Sequence, residues 1–258
     1  MTTEPATSTA VGCARLDAGM AALPAVDLYL GSGIGSWALR RYGRRRTGVV
    51  FTLDPRIAAE ARLLGLDVDE GDPHGRSTGS PIGLSVHYPR LFRQSLLDRY
   101  RAVYNLHPGL LPYGRGYFPV FWALWEGTPA GATLHLVTER LDGGPIVSQA
   151  AVPYDDMDTG ATLHARVTGA ERRLLTRAWR VLERGGVLAS SPQAGGGTYH
   201  ARAEFERLRD STAPSDLSAD ALVRLARCLT FPGHPGLRVV SNGVGLRLRV
   251  ESAETLRR

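Results

Sequence analysis

The sequence predicts an open α/β fold: a Rossmann-like, doubly wound and mainly parallel sheet, followed by a small C-terminal α+β appendage. Three observations predict it. Short runs of β-branched and aromatic residues alternate with segments of helical periodicity. Glycine and proline punctuate the junctions between them. A Ser/Gly-rich stretch then separates this alternation from a shorter, differently patterned tail.

Residues 1–22 are Ala/Thr/Gly-rich, and a poorly ordered start is expected. Val26–Leu30 reads as a buried strand, Gly31–Gly35 as a tight glycine turn and Ser36–Arg46 as a helix. Val49–Leu53 is the next strand, and Pro55–Leu64 a helix with proline in its first turn. A polar loop over Gly71–Ser80 leads to a strand at Ile82–His87 and a helix at Phe92–Arg99. Arg101–His107 is a further strand and Pro119–Trp125 a helix. Ala132–Val137 and Pro145–Val152 read as strands flanking a turn at Asp142. Thr159–Arg184 is a long amphipathic helix, apolar at Leu163, Val167, Ala170, Leu174, Leu175 and Ala178. In the tail, Ala203–Arg209 and Asp220–Leu229 are short helices, and Leu237–Val250 is a hairpin around Ser241-Asn242-Gly243. The expected division is a main domain at 1–189, a linker at 190–197 and a small subdomain at 198–258.

Composition sets the broad class. A hydrophobic content of 43% and a charged content of 22% are those of a globular chain. No apolar run approaches the roughly 20 residues that span a bilayer. The first twelve residues lack the basic start and apolar core of a secretory leader, so a cytoplasmic location without membrane attachment is expected. Cys13 and Cys228 stand alone, without metal-ligand or disulfide spacing, and no metal is expected. A net charge of +6 favours acidic ligands, nucleotides or nucleic acid. The arginines are scattered outside Arg40–Arg46 and no aromatic-interleaved RNA platform is present, so nucleic acid is not the expected partner.

The chemistry concentrates in Asn105-Leu-His-Pro-Gly-Leu-Leu-Pro112 and Leu141-Asp-Gly-Gly-Pro-Ile146. Side chains alternate along a strand, so Val103, Asn105 and His107 share one face and Ala102, Tyr104 and Leu106 the other. Asn105 and His107 then project together at the strand's C-terminal end, where open α/β sheets place ligands. Pro108 keeps His107 extended. Such a pair suits attack by an amine on a formyl carbon. The Asn105 amide can donate to the developing oxyanion, a contribution of roughly 3 kcal/mol. His107 can move the proton, worth about 10²–10⁴ in rate. Asp142 would orient and charge-stabilise the imidazole. A plainer reading also fits: Asn-x-His pairs form turns at strand ends, and Asp142-Gly-Gly is by itself a turn signal.

Asn105–Pro112, with Arg115-Gly116, Pro119, Trp122–Leu124, Gly127, Gly131–His135 and Leu141–Ile146 in that order, resembles the 10-formyltetrahydrofolate-dependent formyltransferase family. The matching block runs from about Gly83 to Arg184. The resemblance implies a formyltransferase fold, an enzyme, and a triad on Asn105, His107 and Asp142. It implies N10-formyltetrahydrofolate as co-substrate, with contacts at Tyr88, Arg90, Leu91, Leu96, Gly116, Arg140 and Leu141. It places the acceptor at Gly31, Ser32, Gly33, Tyr113 and Arg115. Family members often carry Ser after His-Pro; here the residue is Gly109.

The tail bears on which amine is used. Thr198–Phe205 and Leu225–Gly236 resemble segments that follow the catalytic domain in sugar-nucleotide N-formyltransferases. Purine-pathway members end soon after the long helix, and methionyl-tRNA members carry a larger C-terminal barrel. The implied acceptor is a small-molecule primary amine, a nucleotide-linked amino-deoxysugar, with a homodimer as the assembly allowed for. Another small-metabolite amine, such as glycinamide ribonucleotide or an amino-acid building block, stays open, as does a non-catalytic folate- or nucleotide-binding module.

Other motifs have competing readings. Gly31-x-Gly33-x-Gly35 with Asp54 downstream invites a dinucleotide site, but Ser36 breaks the pattern; an acceptor phosphate on the helix N-terminus is the other reading. His135 is expected to support the Asp142 loop, whereas His87, His164 and His234 show no partner in the sequence. Trp122 and Trp125 read as core, and Asp155, Asp156 and Asp158 as a solvated turn.

Overall fold

A computed structural model describes residues 26–211, 217–231, 233–241 and 244–251. The expectations for residues 1–22, for Cys13 and for the hairpin tip at Asn242-Gly243 lie outside them.

In chain order the elements are β1 (Val26–Leu30), α1 (Ser32–Tyr42), β2 (Thr47–Thr52), α2 (Pro55–Leu63), β3 (Asp67–Asp69), a 3-10 turn (Pro73–Gly75), β4 (Ile82–Val86), α3 (Gln94–Leu97), β5 (Ala102–His107), β6 (Arg115–Gly116), α4 (Pro119–Glu126), β7 (Gly131–Leu136), β8 (Ile146–Ala151), α5 (Gly160–Leu182), β9 (Tyr199–His200), α6 (Arg202–Ser211), α7 (Ala219–Leu229), β10 (Leu237–Ser241) and β11 (Val244–Leu248).

The main sheet has the order β3-β2-β1-β4-β5-β7-β8. The strands from β3 to β5 are parallel, and β7 and β8 close the far edge antiparallel. This is the mainly parallel α/β sheet that the alternation predicts. Strand order reverses between β1 and β4, so the crevice at their C-terminal ends is the expected ligand position. Leu30 pairs with Val86, and Val86 with Leu106. His87 and His107 therefore leave the sheet at the same level.

Each face carries its own apolar layer. Leu28, Leu30, Leu84, Tyr104, Leu106 and Leu134 pack under the stripe of α5 that includes Leu163, Val167, Leu174 and Trp179. On the other face Tyr29, Val49, Phe51 and Leu96 pack together, with Tyr88, Phe92 and Tyr100 around them. The tail joins the first layer through Phe205, Leu225, Leu229, Leu237 and Val239. Helix ends follow local chemistry: the Asp54 side chain accepts from Arg56 N–H before Pro55 opens α2, and Thr159 with Thr162 forms a capping box on α5.

Several boundaries move. The glycine turn of Gly31–Gly35 is confined to Gly31, because α1 already begins at Ser32. Gly35 lies inside that helix, where a Cβ would sit 3.3 Å from the Leu30 Cβ, so the missing side chain lets helix and strand approach. Helix α1 stops at Tyr42 with Gly43 as its cap, leaving the arginines 44–46 beyond it. Helix α3 is one turn long. Strand β3, Asp-Val-Asp, and the two-residue strands β6 and β9 carry no apolar alternation that would mark them. Among the described residues, no helix is long and apolar enough to cross a membrane.

Candidate active site

Asn105 and His107 sit at the C-terminal end of β5, on the face away from α5, because Tyr104 and Leu106 are locked into the α5 layer. Asp142 reaches them from the turn between β7 and β8. Its backbone is left-handed (φ 48°), and Gly144 follows where a Cβ would lie 1.9 Å from the Leu136 carbonyl oxygen. The carboxylate is thus pinned by a turn that accepts only glycine beside it.

The three groups converge, with half-buried Asn105 beside a dry set of ionisable side chains: His107 is 4% exposed, Asp142 7% and the neighbouring His135 2%. Asp142 Oδ2 accepts the Gly116 N–H at 2.9 Å. Its Oδ1 stands 3.6 Å from His107 Nδ1 and 3.5 Å from His135 Nε2. Asn105 Nδ2 lies 3.2 Å from His135 Nε2 and 3.4 Å from Asp142 Oδ1. His107 Nε2 donates to the Gly114 carbonyl at 2.9 Å, and His135 Nδ1 to the Leu136 carbonyl at 2.8 Å. A carbonyl only accepts, so the proton of each ring lies on the nitrogen that faces it; neutral His107 then carries its lone pair on Nδ1, and Nε2 of His135 is the atom that faces the Asn105 amide.

These contacts change one expectation. Asp142 was expected to orient the imidazole, but the hydrogen bond that aims the ring goes to Gly114. Room for this comes from Gly109, where a Cβ would sit 2.6 Å from His107 Nε2.

Electrostatics follow from burial and partners. Burial pushes the His107 pKa down against the pull of the Asp142 charge, so the ring favours its neutral form. Burial alone would raise Asp142, but the His107 and His135 rings and the Gly116 N–H hold its carboxyl well below the usual carboxylate range. An ionised carboxylate beside a neutral imidazole is the state ready to receive a proton.

A cavity of about 660 Å³ opens on this cluster and straddles the rim of the sheet. Tyr88, Arg90, Leu91, Gly116, Arg140 and Leu141, expected at the co-substrate, all line it, together with Phe92 and Val137. Leu96 does not. It is fully buried in the Tyr29–Phe51 layer, because of the two leucines of α3 it is Leu96 that the helix turns inward. None of the expected acceptor residues Gly31, Ser32, Gly33, Tyr113 and Arg115 lines this cavity. Ser32 is one contact removed, with Oγ 3.0 Å from the Nδ1 of the lining residue His87. Tyr113 sits in a turn closed by its N–H on the Leu110 carbonyl. Arg115 instead lines a second pocket of about 300 Å³ with Gln193 and Gly196, and Arg140 borders both.

A second group of lining residues carries no signal in the sequence. It comprises His87, His164, Phe205, Phe231 and His234, brought from four separate segments. His87 had no visible partner, yet its Nε2 lies 2.7 Å from Oε1 of the fully buried Glu171. A contact between residues so far apart in the chain leaves no local pattern.

Comparison with known proteins gives the same picture. Residues 76–179 match the formyl transferase family. The dTDP-4-amino-4,6-dideoxyglucose formyltransferase of Mycobacterium tuberculosis is 35% identical over 182 residues, covering 62% of this chain and 77% of that protein. A 4-N formyltransferase from Francisella tularensis shares the fold with a TM-score of 0.74 at 18% identity, over 89% of this chain and 98% of that one. A formyltransferase from Anoxybacillus kamchatkensis, solved with UDP-4,6-dideoxy-4-formamido-L-AltNAc and tetrahydrofolate, aligns with a TM-score of 0.53 at 25% identity, over 67% and 95% of the two chains. The chain with Asn105, His107 and Asp142 at its sheet rim belongs to the formyl transferase family.

Proposed function

We propose that this protein transfers a formyl group from N10-formyltetrahydrofolate to the primary amine of a nucleotide-linked amino-deoxysugar. The observation that carries the reading is the meeting of Asn105, His107 and Asp142 at the edge of a cavity whose lining combines two unlike sets of side chains. One set is apolar and aromatic (Tyr88, Leu91, Phe92, Val137 and Leu141) with Arg90 and Arg140 at its margin, which fits a flat bicyclic ring with an anionic tail. The other set, with its histidines and phenylalanines, supports an acceptor that is aromatic at one end and polar along its length. The relative that shares 35% identity is named for a dTDP-linked 4-amino sugar.

The bound co-substrate supplies a formyl carbon attached to a nitrogen that departs as an amine. The residues supply charge and proton management. Asn105 Nδ2 is the side-chain donor placed to hold the formyl oxygen; its present bonds, at 3.2 and 3.4 Å, are long and easily exchanged. As the amine bonds to the formyl carbon, His107 takes the amine's proton on Nδ1 while Nε2 stays on Gly114. It returns that proton to the departing folate nitrogen as the old bond from that nitrogen to the formyl carbon breaks. The Asp142 charge stabilises the imidazolium so formed, and burial of the cluster strengthens that attraction. We extend the same reading to a cytoplasmic location.

The test is to incubate the purified protein and formyl donor with amino-sugar nucleotides, glycinamide ribonucleotide and amino acids, and to follow the mass gain of one carbonyl. Formylation confined to amino-sugar nucleotides is the expected result. Formylation of glycinamide ribonucleotide alone would move the protein to the other acceptor class.

A further inference from the structure

The groups that aim the triad are themselves backbone atoms of residues 114–116, and those residues are held by the tail. The Gly114 carbonyl accepts from His107, and the Gly116 N–H donates to Asp142. Both glycines have positive φ (68° and 89°), so the segment bends twice within three residues. No helix and no strand of the main sheet contains it.

What fixes it comes from beyond the glycine-rich stretch at 195–197. Gly114 N–H donates to Thr198 Oγ1 at 2.8 Å. Arg115 N–H donates to the Thr198 carbonyl at 3.0 Å, Tyr117 N–H to the His200 carbonyl at 3.0 Å, and Thr198 N–H to the Pro112 carbonyl at 3.2 Å. The approach is close: a Cβ on Gly197 would sit 2.1 Å from the Pro112 oxygen, and one on Gly116 2.3 Å from the His200 oxygen. His200 anchors this strand to α4. Its ring stacks on Trp122 at 3.8 Å, with Nδ1 3.1 Å from Glu204 Oε2 and Nε2 3.0 Å from Glu126 Oε1.

Among the described residues, Thr198 Oγ1 is the one side-chain atom of the tail that bonds directly to residues 112–117. It satisfies the N–H of the residue whose carbonyl holds His107. Without it, the part-buried Gly114 amide loses its acceptor, and the Tyr113–Gly114 peptide can turn about the Gly114 φ that sets the direction of the following carbonyl.

We propose that Thr198 is a positioning residue for the reaction: by holding Gly114 it fixes the His107 ring with its proton on Nε2 and its lone pair on Nδ1. The tail strand is then part of the catalytic apparatus. The kinetic consequences rest on the proposed formyl transfer, but the state of the His107 ring does not.

The test compares Thr198→Val, which keeps the shape and loses the oxygen, with Thr198→Ser, which keeps the oxygen. For Thr198→Val, kcat should fall by about 10- to 100-fold, the scale of a small misplacement of a reacting group, with KM for both substrates within about twofold. Its acid limb should move to lower pH, because the Gly114 carbonyl favours the charged ring. Thr198→Ser should restore both. Imidazole ¹⁵N spectra, with His107 assigned through His107→Gln, should show a single Nε2–H tautomer in the native protein and in Thr198→Ser, and a mixture in Thr198→Val. Native ring shifts and native kcat in Thr198→Val would overturn the proposal, as would equal losses in both variants. Should Thr198→Val lose its thermal unfolding transition, Thr198→Ala is carried through the same spectra and decides in the same way. If no protein in the series formylates any acceptor, the functional reading fails while the ¹⁵N result still tests the positioning.

Discussion

Oδ1 of Asp142 stands 3.6 Å from Nδ1 of His107, beyond hydrogen-bond length, with both groups almost completely buried. The carboxylate therefore acts on the ring as a nearby charge, and the ring's direction comes from the Gly114 carbonyl. This separates two functions that a hydrogen-bonded carboxylate–imidazole pair would combine.

That separation fixes the sign of a pH effect. Burial lowers the His107 pKa and the Asp142 charge opposes it, so the free-base form is gained below the ordinary histidine value of about 6.5. Turnover should rise with pH through that region and then level. Removing the charge in Asp142→Asn should move the acid limb to still lower pH and reduce kcat at least tenfold, whereas His107→Ala should lose about 10²–10⁴. A kcat–pH series on the three proteins checks this. An acid limb that moves upward in Asp142→Asn would contradict the charge role.

Gly109 gives a second handle on the same ring. A Cβ there would lie 2.6 Å from Nε2 and 2.9 Å from Cδ2 of His107. Gly109→Ser should push the imidazole off the Gly114 carbonyl and toward Asp142. We expect a kcat reduced by about tenfold, with donor affinity unchanged because the apolar wall is untouched. Steady-state kinetics with donor titration by fluorescence measures both. An unchanged kcat would mean that the ring tolerates the side chain where it stands.

How much of this was legible depended on distance along the chain. Val26–Leu30, Ile82–Val86 and Ala102–His107 are mainly apolar runs buried on both faces except at Asn105, and they announce themselves. Asn105 and His107 are two apart on one strand, so alternation alone puts them together. Strand β3 is an edge strand of two aspartates around one valine, and its pairing with β2 depends on backbone groups that leave no mark in the sequence. The same holds for Gly114 and Thr198, joined across 84 positions by a main-chain N–H and a threonine hydroxyl. Leu96 was misplaced for the opposite reason: an apolar residue near a ligand segment suits a cavity wall and a core equally well.

The buried pair of His87 and Glu171 predicts a stability effect with a definite pH dependence. Burial pushes the His87 imidazole down, but the Glu171 charge and hydrogen bond outweigh it and leave its pKa raised. A raised folded-state value means that the pair's contribution is full below the unfolded value of about 6.5 and is lost as pH rises through the folded value. His87→Ala, which strands the Glu171 carboxylate, should cost about 3–5 kcal/mol at low pH. Urea unfolding at about pH 6 and about pH 9 should show the gap to the native protein shrinking at the higher pH. A gap that widens with pH would show that the native pair is not an imidazolium–carboxylate.

Leu96 offers a separation of fold from site. It is fully buried against Tyr29, Val49 and Phe51, on the same face of the sheet as the Tyr88–Phe92 cavity wall but below it. Leu96→Ala should leave a void in that layer and destabilise the protein by about 2–5 kcal/mol. The cavity wall is made by Tyr88, Leu91 and Phe92, and Leu96 contributes no surface to it. Donor affinity measured well below the unfolding temperature should therefore stay within about twofold of native, a change of under roughly 0.5 kcal/mol. Denaturant unfolding and a folate titration on the same preparation give both numbers. A large loss of affinity at native-like stability would return Leu96 to the co-substrate wall; loss of stability alone keeps it in the core.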